Sequence, residues 1–67
     1  MIKIFGKDNC VKCEEIKVIL ENKNITFEYY NDLKTLMVIG SKARIMSAPI
    51  IEYNEKYYSM EDFLKEL

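Results

Sequence analysis

Apolar residues near the N-terminus first form a strand-like run and then recur with a helical period. Residues 2–5 (Ile-Lys-Ile-Phe) end at Gly6, and apolar side chains point to both faces of this run, which is typical of a central strand. Over residues 11–22 the apolar positions recur at spacings of three and four, at Cys13, Ile16, Ile19 and Leu20. The pattern predicts a strand followed by an amphipathic helix whose apolar face lies on a sheet.

A second strand follows the first helix. Residues 22–24 (Asn-Lys-Asn) end the helix, because asparagine tolerates the left-handed turn conformation. Residues 25–30 alternate in polarity, and Thr26 and Glu28 on one face are typical of an edge strand. A strand, a helix and a strand within about thirty residues predict a right-handed βαβ unit with two parallel strands.

The middle of the chain predicts a second helix that ends early. Asn31-Asp32 supplies the N-cap, and the apolar face of this helix carries Leu33, Leu36 and Met37. Gly40-Ser41 interrupts the pattern, so residues 41–47 receive no assignment.

The C-terminal part predicts a hairpin and a third helix. Pro49 opens a strand at residues 50–53, where its missing N–H is not yet needed. A tight turn at residues 54–55 leads into a last strand at residues 56–58. Ser59 is typical of an N-cap, and the apolar stripe of the helix that follows is Met60, Phe63, Leu64 and Leu67.

These elements predict one domain over residues 1–67. Their order is β-α-β-α-β-β-α, which indicates an α/β fold with one four-stranded mixed sheet and helices on both faces. Of the 67 residues, 49% are hydrophobic and 31% are charged, a balance typical of a globular chain and not of a disordered one. A domain of this size buries only about 60% of its unfolded surface, so every apolar face needs a partner.

Charge and targeting signals narrow the possible partners and location. Ten basic and eleven acidic residues are interspersed, which gives no electrostatic footprint for nucleic acid or an anionic membrane. We therefore expect a protein partner. The N-terminal segment lacks the apolar stretch of a signal peptide, and no stretch is long enough to span a membrane. We expect a cytoplasmic protein, in which a close cysteine pair is catalytic or metal-linked because structural disulfides are rare there.

The only two cysteines stand in the motif Cys10-Val11-Lys12-Cys13, between the first strand and the first helix, and there is no histidine. Three interpretations are a redox dithiol, half of a metal or iron–sulfur site shared by a homodimer, and two cysteines packed as small hydrophobic residues. Structural zinc takes four ligands, of which this chain supplies two thiolates, whereas a dithiol needs nothing more. The redox interpretation is therefore favoured.

Position on the helix predicts different roles for the two sulfurs. Cys13 falls inside the apolar stripe and Cys10 at its edge, so Cys10 should be accessible and Cys13 sheltered. At the N-cap, the Cys10 sulfur would face free N–H groups and the positive end of the helix dipole, which lower the pKa of a thiol. Lys7 and Lys12 act in the same direction; the opposing charges are Asp8, Glu14 and Glu15. Cys10 would then attack a partner's disulfide, and Cys13 would resolve the mixed disulfide.

The motif Phe5-Gly6-Lys7-Asp8-Asn9-Cys10-Val11-Lys12-Cys13, Ala48-Pro49 before a strand, and the terminal hairpin and helix together resemble the glutaredoxins. In having valine after the first cysteine, the chain resembles the small glutaredoxin-like redoxins that serve ribonucleotide reductase. The resemblance implies a thioredoxin-like fold and a dithiol-disulfide oxidoreductase that reduces protein disulfides, ribonucleotide reductase being the implied partner. It implies a monomer with no cofactor beyond the redox-active Cys10–Cys13 disulfide.

The resemblance also implies a substrate groove. In that fold the proline corresponding to Pro49 is cis and lies beside the cysteines, which leaves the backbone of Ala48 free to bind an extended substrate. Lys7 and the Glu61-Asp62 pair match positions that meet the carboxylates and the amine of glutathione. The groove residues implied in full are Lys7, Val11, Lys12, Ala48, Pro49, Tyr58, Ser59, Glu61 and Asp62.

Tyr58-Ser59 departs from the family, because glutaredoxins have paired glycines there. A tyrosine ring at that place would crowd the groove and select against glutathione. We therefore expect weak use of glutathione and reduction by a thioredoxin-reductase-type flavoprotein. For the remaining tyrosines we expect a packing role, namely Tyr29, Tyr30, Tyr53 and Tyr57.

Overall fold

The computed structural model describes all 67 residues, which form four strands and three helices. The strands are β1 (Ile2–Gly6), β2 (Phe27–Asn31), β3 (Ile50–Tyr53) and β4 (Lys56–Ser59). The helices are α1 (Val11–Asn22), α2 (Leu33–Ala43) and α3 (Met60–Leu64). The α/β class and the element order are as predicted, and the bounds of α1 coincide with the predicted ones. None of the three helices combines the length and apolarity needed to cross a bilayer.

The four strands form one mixed sheet in the order β2-β1-β3-β4. Strand β1 is parallel to β2, with Ile4 opposite Tyr29, and antiparallel to β3, with Ile4 opposite Ile51. Strands β3 and β4 form an antiparallel hairpin. The central position of β1 and the edge position of β2 are both as predicted, and they explain why β1 carries apolar side chains on both faces.

Two apolar layers hold the helices on opposite faces of the sheet. One layer joins β1 and β3 to α1 and α3 through Ile2, Ile4, Ile16, Leu20, Ile51 and Phe63. The other layer joins the same two strands to α2 through Phe5, Leu36 and Ile50. Because full burial of such a side chain stabilises a fold by about 1.5–3 kcal/mol, docking on the sheet holds these short helices in place.

Helix α2 runs through Gly40-Ser41, so the prediction that these residues interrupt it is wrong. The helix ends at Ala43, and Arg44 follows in the left-handed conformation with φ of 59°. Gly40 is buried, and a Cβ there would lie 2.9 Å from the carbonyl oxygen of Ile45. The Ile45 N–H also donates to the Gly40 carbonyl at 3.0 Å. Close packing of this loop on the helix outweighs the cost of about 1 kcal/mol of a glycine in a helix.

Strand β2 starts at Phe27 and not at residue 25, because Ile25 belongs to the turn that follows α1. Asn24 has a φ of 57°, the left-handed conformation predicted for this turn. The N–H of Ile25 then donates to the carbonyl of Leu20 at 2.9 Å, and its side chain packs on the core. These contacts turn the chain before it enters the sheet.

The hairpin and the third helix differ only slightly from expectation. Asn54 and Glu55 have φ values of 51° and 64°, as a two-residue type I′ turn requires. Helix α3 ends at Leu64. Leu67, which was predicted to belong to the apolar stripe of this helix, therefore lies outside it. Of that stripe only Phe63 is fully buried, since the short helix directs a single large side chain into the core.

Asp32 caps α2 and carries a prediction about acid stability. Its Oδ2 accepts a hydrogen bond from Thr35 Oγ1 at 2.8 Å and its Oδ1 accepts from the Lys34 N–H at 3.1 Å, and these bonds hold the pKa of Asp32 below its ordinary value. A carboxyl whose pKa is lower in the folded state stabilises the fold above its unfolded pKa, and this stabilisation is lost as the pH falls through the folded value. We expect Asp32→Ala to lower the free energy of unfolding at pH 7.

The difference between wild type and Asp32→Ala should shrink in acid, as urea denaturation at a series of pH values would measure. Asp32→Asn is the matched control, because the amide keeps an acceptor oxygen but does not titrate in this range. A difference that stays constant from pH 7 to pH 2 would contradict the role given to the Asp32 charge.

Candidate redox site

The topology gathers the predicted site residues at one end of the sheet. Ile50 at the start of β3 pairs with Phe5 near the end of β1 on one side and with Ser59 at the end of β4 on the other. The loop at residues 7–10, which follows β1, therefore leaves the sheet beside Pro49, which precedes β3. The beginning of α3 lies at the same end.

The two cysteines are joined in a disulfide at the N-terminus of α1. Cys10 is the N-cap, with extended backbone, and its Sγ accepts a hydrogen bond from the Cys13 N–H at 3.2 Å. Cys10 is half-buried and Cys13 is fully buried. The predictions of an accessible Cys10 at the helix cap and a sheltered Cys13 are confirmed.

Of the charged side chains near the N-terminus of α1, Glu14 forms an ion pair, whereas Lys7 and Lys12 do not. Glu14 in the first turn lies 3.0 Å from the ammonium of Lys17, and this hydrogen bond raises the pKa of Lys17. Lys7 and Lys12 are exposed and make no ion pair. One acid of the first turn is thus partly neutralised, while two cations next to the cysteines are available to an incoming acidic group.

An apolar groove, which we call the α2 groove, opens between α2 and the segment that leads to Pro49. It has a volume of about 290 Å³, and its lining includes Lys7, Leu36, Met37, Met46, Ser47 and Ala48. Met46 is 98% exposed and Met37 is 64% exposed, so two flexible apolar side chains stand open to solvent at its rim. The groove brings together Lys7 and Ala48, which sequence analysis named separately. Sequence analysis gave no sign that Met46 belongs to it, because residues 41–47 had no assignment.

The backbone of Ala48 is free of internal partners. The peptide bond between Ala48 and Pro49 is cis, as the resemblance implies. Pro49 is buried, while Ala48 is half-buried beside the α2 groove. Neither the N–H nor the C=O of Ala48 hydrogen-bonds to any other group of the chain. Such a pair of backbone groups can accept one residue of an extended peptide as a short added strand.

The ring of Tyr58 lies on the face of the sheet opposite the α2 groove, and its effect on glutathione stays a prediction. Tyr58 pairs with Ile51, and both side chains point into the layer under α1 and α3. The ring packs against Phe63 with 6.1 Å between the centroids. Strand pairing decides this direction, which a motif comparison does not reveal.

The start of α3 contributes exposed acids without joining the α2 groove. Ser59 caps the helix, and its Oγ accepts from the Asp62 N–H at 3.3 Å. Glu61 and Asp62 are exposed, and Asp62 lies 3.9 Å from the ammonium of Lys65. Neither acid lines the α2 groove together with Lys7. Val11 is 73% exposed beside Cys10, where it is open to a protein partner.

The fold and the site define a small α/β protein with a Cys-x-x-Cys disulfide at a helix N-terminus. Comparison of the chain with protein-family models, with curated proteins and with solved structures finds no match. No group of three or more cysteine, aspartate or glutamate side chains is arranged to hold a metal ion.

Proposed function

We propose that the chain is a dithiol-disulfide oxidoreductase, a glutaredoxin-like electron carrier that reduces protein disulfides. The observation that carries the proposal is the unequal burial of Cys10 and Cys13 within one disulfide at the N-cap of α1. A structural disulfide needs no accessible sulfur, whereas exchange with a partner requires one. The element order and the mixed four-stranded sheet support a thioredoxin-like fold.

The chemistry is a two-step exchange that starts from the reduced protein. The Cys10 thiolate attacks one sulfur of the partner's disulfide, which forms a mixed disulfide and releases the partner's other sulfur as a thiolate. The Cys13 thiolate then attacks Cys10 Sγ, which forms the intramolecular disulfide and releases the second partner sulfur. Two electrons pass to the partner, and its two thiolates take up protons from Cys13 and solvent. The N-terminus of α1 stabilises the Cys10 thiolate.

The surroundings of the cysteines support an extended protein segment as substrate. The free N–H and C=O of Ala48 can pair with the backbone of such a segment next to its disulfide. Met37 and Met46 offer flexible apolar contacts in the α2 groove, and Lys7 meets an acidic side chain or a carboxylate. A partner segment with an apolar residue and an acidic residue near its cysteine fits this surface.

The electron donor is either a thioredoxin-reductase-type flavoprotein or glutathione. The Tyr58 ring packs on Phe63, and turnover with each donor measures how strongly it hinders glutathione. Ribonucleotide reductase as the protein substrate, a monomeric state and a cytoplasmic location rest on the resemblance and on the sequence. They are parts of the same proposal.

The proposal is tested by disulfide turnover with each donor in turn. We expect the purified protein to reduce insulin and a small disulfide when it is coupled to NADPH through thioredoxin reductase or through glutathione and glutathione reductase. The Cys10–Cys13 pair should also titrate reversibly with two electrons. Elemental analysis and native mass belong to the same experiment. A zinc- or iron-loaded dimer that turns over neither disulfide would overturn the proposal.

A further inference from the structure

The hydroxyl of Tyr29 is a buried polar group without a hydrogen-bond partner. Tyr29 lies opposite Ile4 in the sheet, and its ring packs on the core layer beneath α1. Buried hydroxyls in folded proteins are nearly always bonded, and one without a protein partner is a candidate for a redox or catalytic role. No other buried side-chain oxygen or nitrogen of the chain is in this position.

The nearest place where such a partner can form is beside Cys13. Position 6 of β1 carries no side chain, and a Cβ there would lie 2.9 Å from Tyr29 Cζ and 3.0 Å from Cys13 Sγ. It would come closer still to the Tyr29 hydroxyl oxygen. The hydroxyl and the sulfur therefore border the same small space, which only glycine leaves open at this position.

Burial helps to keep the Tyr29 hydroxyl protonated at neutral pH, because it raises the pKa of this group. Burial raises the pKa of Tyr29, against the effect of Lys17, whose ammonium lies 4.2 Å from the ring centroid. Glu14, which is paired with Lys17, and Asp8 in the loop after β1 also act to raise it. The group at the end of this side chain is therefore a neutral hydroxyl, which can donate a hydrogen bond.

We propose that Tyr29 is a positioning residue for the redox step, whose hydroxyl donates a hydrogen bond to Cys13 Sγ once the disulfide is reduced. The inference rests on the proposed function for its role in turnover. The hydroxyl keeps its proton throughout. It stabilises the Cys13 thiolate, which forms the bond to Cys10 Sγ while the bond between Cys10 Sγ and the partner's sulfur breaks. Because this hydrogen bond to Cys13 forms only in the reduced state, it favours the dithiol over the disulfide.

The first test is the reduction equilibrium of Tyr29→Phe, which keeps the ring and removes the hydroxyl. We expect the equilibrium with a glutathione redox buffer to shift about tenfold towards the disulfide, a potential lower by about 30 mV. Tyr30→Phe is the matched control. The Tyr30 hydroxyl is exposed and donates a hydrogen bond to Glu28 Oε1 at 2.8 Å. That variant should match the wild type. Equal potentials for Tyr29→Phe and the wild type would overturn the inference.

The second test measures the pKa of Cys13 in a Cys10→Ser background, where Cys13 is the only thiol. The ¹³Cβ chemical shift of labelled Cys13 followed against pH reports its ionisation without interference from the tyrosines. Tyr29→Phe should raise this pKa by about one unit, because the thiolate loses a donor. A residue that only fills space would alter stability and leave both the pKa and the potential unchanged, which would overturn the inference.

Neither measurement depends on turnover. A protein that reduces no disulfide substrate but shows the Tyr29-dependent potential would overturn the proposed function and support the contact between Tyr29 and Cys13. If the protein is active but its Cys13 pKa is the same with tyrosine and phenylalanine at position 29, the proposed function is supported and the contact between Tyr29 and Cys13 is overturned.

Discussion

Cys10→Ser should lose disulfide reduction, by on the order of a thousandfold or more, because serine at the helix cap is a far weaker nucleophile than a thiolate. The N-cap itself should survive, since a serine oxygen accepts the Cys13 N–H as well as sulfur does. Turnover of insulin and of a small disulfide, with protein concentration set by circular dichroism of the folded form, would measure the loss. Residual activity above a tenth of the wild-type value would contradict the role of Cys10.

Cys13→Ser is the matched variant, because it removes the buried sulfur and leaves the accessible one. It should react once and remain joined to the partner through Cys10, which intact mass spectrometry would detect as a stable mixed disulfide. The reduced wild type offers the same distinction without substitution, since iodoacetamide at neutral pH should label Cys10 first. First labelling of Cys13 would show that the roles are assigned the wrong way round.

Phe63→Ala should destabilise the protein by about 3–5 kcal/mol, the usual cost of removing a fully buried aromatic ring. Phe63 is fully buried and packs edge-on against Tyr53, with ring centroids 6.0 Å apart, and against Tyr58. The total free energy of unfolding of a domain of this length is only about 5 kcal/mol. We therefore expect a largely unfolded chain at 25 °C, visible as lost near-ultraviolet circular dichroism and an absent urea transition.

Leu67→Ala is the control for this loss, because Leu67 lies beyond the end of the same helix and is 46% exposed. Its urea midpoint should stay close to that of the wild type. A Phe63→Ala protein that unfolds cooperatively within about 1 kcal/mol of the wild type would show that α3 is not a principal anchor of the core.

Periodicity predicted the parts of this fold that depend on neighbouring residues. The bounds of α1 and the burial of Cys13 follow from spacings of three and four, and the turn at Asn54 follows from its local chemistry. The parts that were wrong depend on contacts between distant segments. Gly40 was taken as a helix breaker because its packing against Ile45 cannot be seen in the local pattern.

The site shows the same limit. The cysteine roles could be predicted because a single helical turn determines which sulfur faces the core. The direction of Tyr58 depends on its register with Ile51, and the contact region of Tyr29 depends on a glycine in another strand. The local sequence carries no signal for either pair. Both contacts arise only when the strands assemble into the sheet.

The central position of β1 has a consequence for the order in which the chain is made. Strand β1 is synthesised before both of its neighbours in the sheet, β2 and β3, and before Phe63, which packs on it from α3. At about 5–20 residues per second, the cysteine motif spends several seconds outside the ribosome before these segments follow. During that interval Cys10 and Cys13 belong to a nascent chain without the core that encloses one of them. The distinction between an attacking and a resolving thiol therefore begins only after β3 and α3 have been made and have packed on β1.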